Sequence, residues 1–422
     1  MQRAPLMSLG AALEQLLARA QPLPGYEALA TLDADGRVLA QDVVSALHVP
    51  AQDNSAMDGY AVRCADVSAL GTVLPVSQRI AAGSAGSALQ VHTAARIFTG
   101  APVPAGADAV LMQEDCTLLP EPDARGHPVV QFDKVPTLGQ NIRRAGEDVA
   151  LGAVVLSRGQ RLGPAELGLA ASIGLGTLQV ARRPRVALFS TGDELVMPGT
   201  VPPQDMPPGA IYNSNRFFLS ALLRRLGCEV TDMGIVPDQL AATVQALRSA
   251  AVAHDVILTS GGVSVGAEDH VKPAVQQLGA LDLWQVAIKP GKPFAHGHIA
   301  RAPSPSSSGA CHFLGLPGNP VSSLVTFWLL VRPFLLRLQG VHDVYIKTVA
   351  ARADFAWTRA DKRQEFLRVR RNAAGGLDLF PNQSSGVLTS AVWGDGLVDN
   401  PPGCTISPGD TVRYVSFTEL LA

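Results

Sequence analysis

The chain is poor in charge and in aromatic residues. Of its 422 residues only 17% are charged and 5% aromatic, and 34 Lys+Arg against 36 Asp+Glu leave a formal net charge of -2. A balance this even gives no electrostatic reason for nucleic acid or an anionic membrane to be the main partner. Cysteine is scarce as well: the five, at 64, 116, 228, 311 and 404, show neither CxxC nor metal-ligand spacing. An odd, scattered set argues against a disulfide framework and for free thiols in a reducing compartment. The longest apolar stretch, "VSSLVTFWLLVRPFLL", is cut by Arg332 and Pro333, short of the roughly 20 residues that span a bilayer. The nine histidines show no ligand spacing beyond His296 and His298, which read as strand-surface residues. There is no internal repeat.

What is present is enough apolar material, 47%, for large cores, and a length that predicts two to four domains. At the N-terminus, Leu9, Leu13, Leu16 and Leu17 share one helix face opposite Glu14 and Arg19, an amphipathic pattern too polar for a signal-peptide core. The chain therefore reads as a soluble cytoplasmic protein. Residues 1–47 and 143–180 read as one discontinuous N-terminal linking domain. Residues 48–142 are short apolar runs broken by Gly and Pro, a β-rich domain. Residues 181–340 alternate strand and helix, which predicts a doubly wound, parallel α/β domain. Residues 345–422 return to short strands, a small C-terminal β-barrel-like domain. The expected fold is thus multidomain α/β plus β, on an elongated chain. "VPPQDMPPG" (201–209) and "ARAPSPSSSGA" (300–310) read as extra loop length that leaves any site intact, the second as a hairpin tip.

In an open α/β sheet, ligands bind beyond the carboxyl ends of the strands. Those ends carry Thr191-Gly192-Asp193-Glu194; Pro237-Asp238; Ser260-Gly261-Gly262-Val263-Ser264 followed by Asp269 and Lys272; Lys289-Pro290-Gly291-Lys292; and Pro317-Gly318-Asn319-Pro320. Glycines let a ligand approach the backbone, and lysines 272, 289 and 292 supply cations for phosphate or another oxyanion. Glu194, Asp238 and Asp269 fit such a place if Mg²⁺ stands between them and phosphate oxygens. Bland readings stay open one by one: the Ser-Gly-Gly turn as only a turn, Asp238 as a helix N-cap, Glu194 as a solvated acid, the Pro-Gly-Asn-Pro stretch as punctuation. Their coincidence at five strand ends favours metal-assisted chemistry on a nucleotide or phosphorylated ligand. A second dense polar motif, "DNSAMDGYAV", lies outside this domain.

"DNSAMDGYAV", "TGAPVPAGADAV", "STGDEL", "SGGVSVGAEDH", "KPGKPF" and "GLPGNPVS" follow one another in that order. Together they resemble the molybdopterin molybdenumtransferases, the MoeA proteins, with relatives in the E domain of gephyrin. The resemblance spans essentially the whole chain. It implies a homodimer that inserts molybdenum from molybdate into adenylylated molybdopterin, releasing AMP with Mg²⁺. It implies a cleft between the α/β domain of one subunit and the β-rich domain of the other. Molybdopterin adenylyltransferase and molybdoenzyme maturation proteins are then partners to expect. Carried over by position, Asp58, Thr99, Glu194, Asp238, Asp269, Lys289 and Lys292 are catalytic candidates. Glu194, Asp238 and Asp269 are the metal candidates. Ser260, Gly261, Gly262, Ser264, Lys272, Pro317, Gly318, Asn319, Pro320, Arg368 and Ser385 are substrate-binding candidates, with Ser384 an alternative to Ser385. The competing readings are a non-catalytic, gephyrin-like scaffold and the adenylyltransferase itself, which normally lacks the "DNSAMDGYAV" module and the C-terminal β domain.

Overall fold

The computed structural model describes residues 6–262, 270–301 and 310–421. Ser264 and Asp269, and residues 302–309 of the second extra loop, lie outside these.

The α/β unit holds a six-stranded sheet in the spatial order Glu229–Val236, Arg185–Thr191, Val256–Ser260, Cys311–Leu316, Pro293–Ile299, Gly279–Gln285. The first four are parallel and the last two antiparallel. The sheet is therefore mixed at one edge. Ile299 and Cys311 are joined by too short a segment for a crossover, so their strands turn back on each other. Side chains alternate across it with period two. Val186, Leu188, Val256, Leu258, Leu314 and Leu316 enter the core on one face, with helices Asn215–Arg225 and Pro320–Thr326. Ala187, Phe189, Ile257, Cys311 and Phe313 enter the other, with helices Leu240–Ala253 and Val271–Leu278. The sheet is thus covered on both sides, which its apolar strands require. The apolar helical stretch Pro320–Leu338 has a mean hydropathy of 1.5 and is 94% buried inside the protein; it is the core helix.

The N-terminal piece divides. Helix Leu9–Leu17, capped by Ser8, buries Ala12 and Leu16 in the α/β core rather than in the linking unit. Its neighbour in sequence pairs elsewhere: Tyr26–Ala30 runs antiparallel to Thr177–Ala181, and Val43–Val44 to Val154–Leu156. Leu39 and Val43 share a core with Leu156, Ala170, Leu178 and Val180. The β-rich unit is a sheet in the order Ala109–Met112, Gly59–Val62, Ala94–Ile97, Val73–Ile80, Val129–Phe132, Cys116–Leu118. In the C-terminal unit, Gln364–Arg371, Gly376–Leu379, Val349–Ala353, Thr411–Ser416 and Gly396–Asn400 pair in turn. The last returns to the first, closing a five-strand barrel. A two-residue strand of the α/β unit, Ile288–Lys289, adds to this barrel at Gln364 and Glu365. All five cysteines are free thiols.

His296 departs from the strand-surface reading. It is 3% exposed, stacked on Trp284, with Nδ1 3.0 Å from an Arg19 guanidinium nitrogen. An arginine only donates, so Nδ1 accepts and the proton sits on Nε2. His312 lies edge-on to Phe334, and its Nδ1 is buried. Burial lowers the His296 pKa to about 3 and that of His312 to about 4. Both are neutral in the fold, so the unfolded chain binds more protons below about pH 6.5, and stability falls as pH drops through that value. Between pH 7 and 5 the loss is on the order of 2 kcal/mol per histidine. Urea unfolding at the two pH values checks this, and His312→Phe removes about half of the difference.

Candidate functional site

The strand ends do converge. A cavity of about 750 Å³ is lined by Thr191, Gly192 and Glu194 after the first strand, Asp238 after the second, and Ser260-Gly261-Gly262 after the third. Pro293 and the Pro317-Gly318-Asn319-Pro320 run complete the strand-end contribution. Nine of the residues expected here from sequence are thus in one wall: Glu194, Asp238, Ser260, Gly261, Gly262, Pro317, Gly318, Asn319 and Pro320.

The turn after the third strand can be built only of glycine. Gly261 and Gly262 have φ of 95° and 67°. A Cβ on Gly262 would stand 2.3 Å from Val271 Cγ2 and 2.9 Å from Thr191 Oγ1. Gly261 N donates to Leu316 O at 3.0 Å, which carries the strand pairing into the rim.

What holds the rim was not read from sequence. Asn215 Nδ2 donates to Ser260 Oγ and to Gly318 O, both at 2.7 Å. One buried amide thus joins the ends of two neighbouring strands to the first turn of a helix. Beside it, Asn213 Oδ1 accepts from Arg216 N at 3.3 Å and caps that helix. "YNSN" looks like helix punctuation, and that is the only signal it carries; Tyr212, Asn213, Ser214 and Asn215 all line the cavity.

Two carboxylates face this space. Asp238 is half-buried and makes no capping bond: helix Leu240–Ala253 starts after Gln239, and the Asp238 N–H donates to Asp193 Oδ1 at 3.1 Å. Glu194 is exposed at the mouth. Neither makes an ion pair with a basic side chain among the described residues. Two such carboxylates at one cavity suit Mg²⁺, which takes one or two protein carboxylates together with water and substrate phosphates. Among the described residues no cluster of three or more potential ligands occurs, so a dedicated protein cage is absent there.

The other expected residues that are described stand outside the cavity lining. Lys289 Nζ lies 3.0 Å from Glu365 Oε1 and 3.3 Å from Asp361 Oδ2, so it ties the α/β unit to the barrel. Lys292 is half-buried next to the lining residue Pro293, and Lys272 sits in the first turn of helix Val271–Leu278. Arg368 is 1% exposed inside the barrel. Its guanidinium donates to Ser390 Oγ, Phe366 O and Ser384 O, and burial without a carboxylate partner lowers its pKa to about 10. It thereby fixes the 383–390 segment, whose Ser385 carbonyl accepts from Val321 N at 2.9 Å and whose Gly386 lines the cavity.

Asp58 and Thr99 sit on the β-rich unit. Thr99 N and Oγ1 both donate to Asp58 Oδ1 at 2.8 Å. These two bonds, with the nearby Arg96 charge, hold the Asp58 carboxyl below its usual range. Neither residue is among the described residues that line the cavity.

These parts define a multidomain protein built round an α/β domain whose strand ends form a ligand cavity. Residues 7–174 match the MoeA N-terminal region (domain I and II), 187–337 the probable molybdopterin binding domain, and 350–417 the MoeA C-terminal region (domain IV). The molybdopterin molybdenumtransferase of Haemophilus influenzae is 43% identical over 329 residues, 78% of this chain and 76% of that protein. Molybdopterin molybdenumtransferase 2 of Mycobacterium tuberculosis is 39% identical over 399 residues, 92% of each. The crystal structure of the Pyrococcus horikoshii molybdopterin biosynthesis MoeA protein superposes with a TM-score of 0.81 at 26% identity, covering 98% of this chain and 100% of that one. The chain belongs to the molybdopterin molybdenumtransferase family, enzymes of molybdenum cofactor biosynthesis.

Asn215→Ala leaves Ser260 Oγ and Gly318 O without their donor. We expect a stability loss of about 1–3 kcal/mol by urea unfolding, whereas Asn213→Ala, which removes only the cap, costs nearer 1 kcal/mol.

Proposed function

We propose that the chain inserts molybdenum from molybdate into adenylylated molybdopterin and releases AMP, as a cytoplasmic homodimer that uses Mg²⁺. The observation that carries this is the cavity at the strand ends, where Glu194 and Asp238 stand among glycine, proline, serine and asparagine residues. Held by those carboxylates, and by Asp269, Mg²⁺ would neutralise the phosphoanhydride and favour departure of AMP. The chain's own part is binding and orientation. The glycine turn at 261–262 lets a bulky ligand lie against backbone, and the Asn215 bonds keep that turn in place before the ligand arrives. Pre-set geometry of this kind spares the ordering cost at the moment of reaction. Lys272 and Lys292 flank the cavity on segments adjoining its wall and supply positive charge toward the phosphates. On this reading Asp58 and Thr99 complete the cleft of the second subunit, since neither is among the described residues lining the cavity of their own chain. A gephyrin-like scaffold draws no support from a specific contact here, and the adenylyltransferase reading does not explain the N-terminal and C-terminal regions.

Purified protein should release AMP from adenylylated molybdopterin only when Mg²⁺ and molybdate are both present. Asp238→Asn should lower the rate by about a hundredfold, the upper range for disturbed metal sites. Failure of the wild type to release AMP, with the nucleotide still bound, would sink the catalytic reading. Subunit sharing gives a second test. Asp58→Ala and Asp238→Asn proteins, each nearly inactive alone, are mixed after subunit exchange. Half of the dimers are then mixed, each with one intact cleft, so about a quarter of wild-type activity returns if the subunits assemble with two-fold symmetry. No recovery means both residues act within one subunit.

A further inference from the structure

The cavity has an unbalanced chemistry for the ligand just assigned to it. Its described lining residues include two carboxylates and neither lysine nor arginine. An anionic substrate needs cations beyond a metal held by those acids. The β-rich unit carries an arrangement that suits this.

Strands Val73–Ile80 and Ala94–Ile97 run parallel, and their register places Arg79 directly beside Arg96. Like charges opposed on neighbouring strands repel. Neither guanidinium makes an ion pair among the described residues. Both instead lie over the ring of Phe98, with their Cζ atoms 4.6 and 4.8 Å from its centre. Arg96 is fixed further by the Gly59 carbonyl at 3.0 Å and Gln113 Oε1 at 2.6 Å, and stacks on Tyr60. Arg79 is exposed and Phe98 half-buried. The next residue after Phe98 is Thr99, the partner of Asp58. Two guanidiniums gathered on one phenyl ring, neither in an ion pair among the described residues, with Asp58 acting on Arg96 only through its nearby charge, make an anion receptor. Their planar donors match tetrahedral oxyanions, and the ring fixes them at little entropic cost.

We propose that Arg79 and Arg96, bridged by Phe98, form an oxyanion-binding site on the β-rich unit, one that takes a phosphate group or molybdate. The proposal rests on the reading that the Asp58–Thr99 wall completes the partner's cleft. On that reading the two arginines bring to the shared cleft positive charge beyond that of Lys272 and Lys292.

The test is calorimetric titration of the intact protein with AMP and, separately, with molybdate, at low and high salt. The variants are Arg79→Gln, Arg79→Glu and Arg96→Lys. Arg79 is exposed and its side chain makes no hydrogen bond among the described residues, so its variants should melt like wild type; Arg96→Lys keeps the charge and loses the fork. Arg79→Glu should weaken binding of one oxyanion about tenfold at low salt, with Arg79→Gln intermediate and the difference shrinking at high salt. Weakening of AMP alone assigns the site to phosphate, and of molybdate alone to the metal substrate. Unchanged affinity for both in all three variants overturns the proposal and makes the stack a brace for Phe98. Asp58→Ala separates the two claims. If it abolishes AMP release while the arginine variants bind normally, the shared cleft stands and the oxyanion site falls. If it leaves AMP release untouched while Arg79→Glu still weakens binding, the oxyanion site stands apart from the cleft.

Discussion

The cleft depends on one side-chain amide. A parallel sheet delivers several strand ends to one rim, but here the segments that leave those ends are glycine and proline, with little side chain of their own to hold them. Asn215 supplies the missing constraint by donating to Ser260 and Gly318 at once. In a buried setting each of those bonds is strong because water cannot compete, and losing the donor strands two acceptors. The rim can therefore stay bare enough for a bulky ligand and still keep its shape.

The opposite end of the same sheet is built by the contrary device. Asp255, 4% exposed, receives both Arg182 nitrogens at 2.7 and 2.9 Å and the Arg185 N–H at 2.9 Å. The Asp255 carboxyl is kept below its usual range by these partners against the opposing effect of burial. Charge is neutralised where the strands begin. Where they end, Glu194 and Asp238 make no ion pair among the described residues. This division separates the end that holds the domain together from the end that can accept a cation.

Much of this was legible in the sequence. Alternating apolar residues announced the strands, and the rule that ligands sit past strand carboxyl ends picked out Glu194, Asp238 and the Gly261-Gly262 turn before any geometry was known. The pterin and the molybdenum came from the ordered motifs, not from strand ends. What stayed hidden depends on partners far away in the chain. Asn215 reads as a helix start because its acceptors lie 45 and 103 positions off. Gly386 enters the cavity from another unit. Lys289 looks like a free phosphate ligand until Glu365, 76 positions on, is placed beside it. Helix Leu9–Leu17 has the apolar face expected of it, but periodicity does not say which core that face joins. His296 alternates as a surface residue would, and the groups that cover it, Phe334 and Arg19, are distant in sequence.

The short strand Ile288–Lys289 also constrains how such a protein can be cut or recombined. It belongs by sequence to the α/β unit and by hydrogen bonding to the barrel sheet, where it runs alongside Gln364 and Glu365. Removing the barrel would leave a row of amide groups open on the α/β unit, and removing the α/β unit would bare a barrel edge. Exposed edges recruit other chains. The two regions are thus seamed rather than strung, and neither is a free-standing module that a gene fusion could move without carrying part of the other.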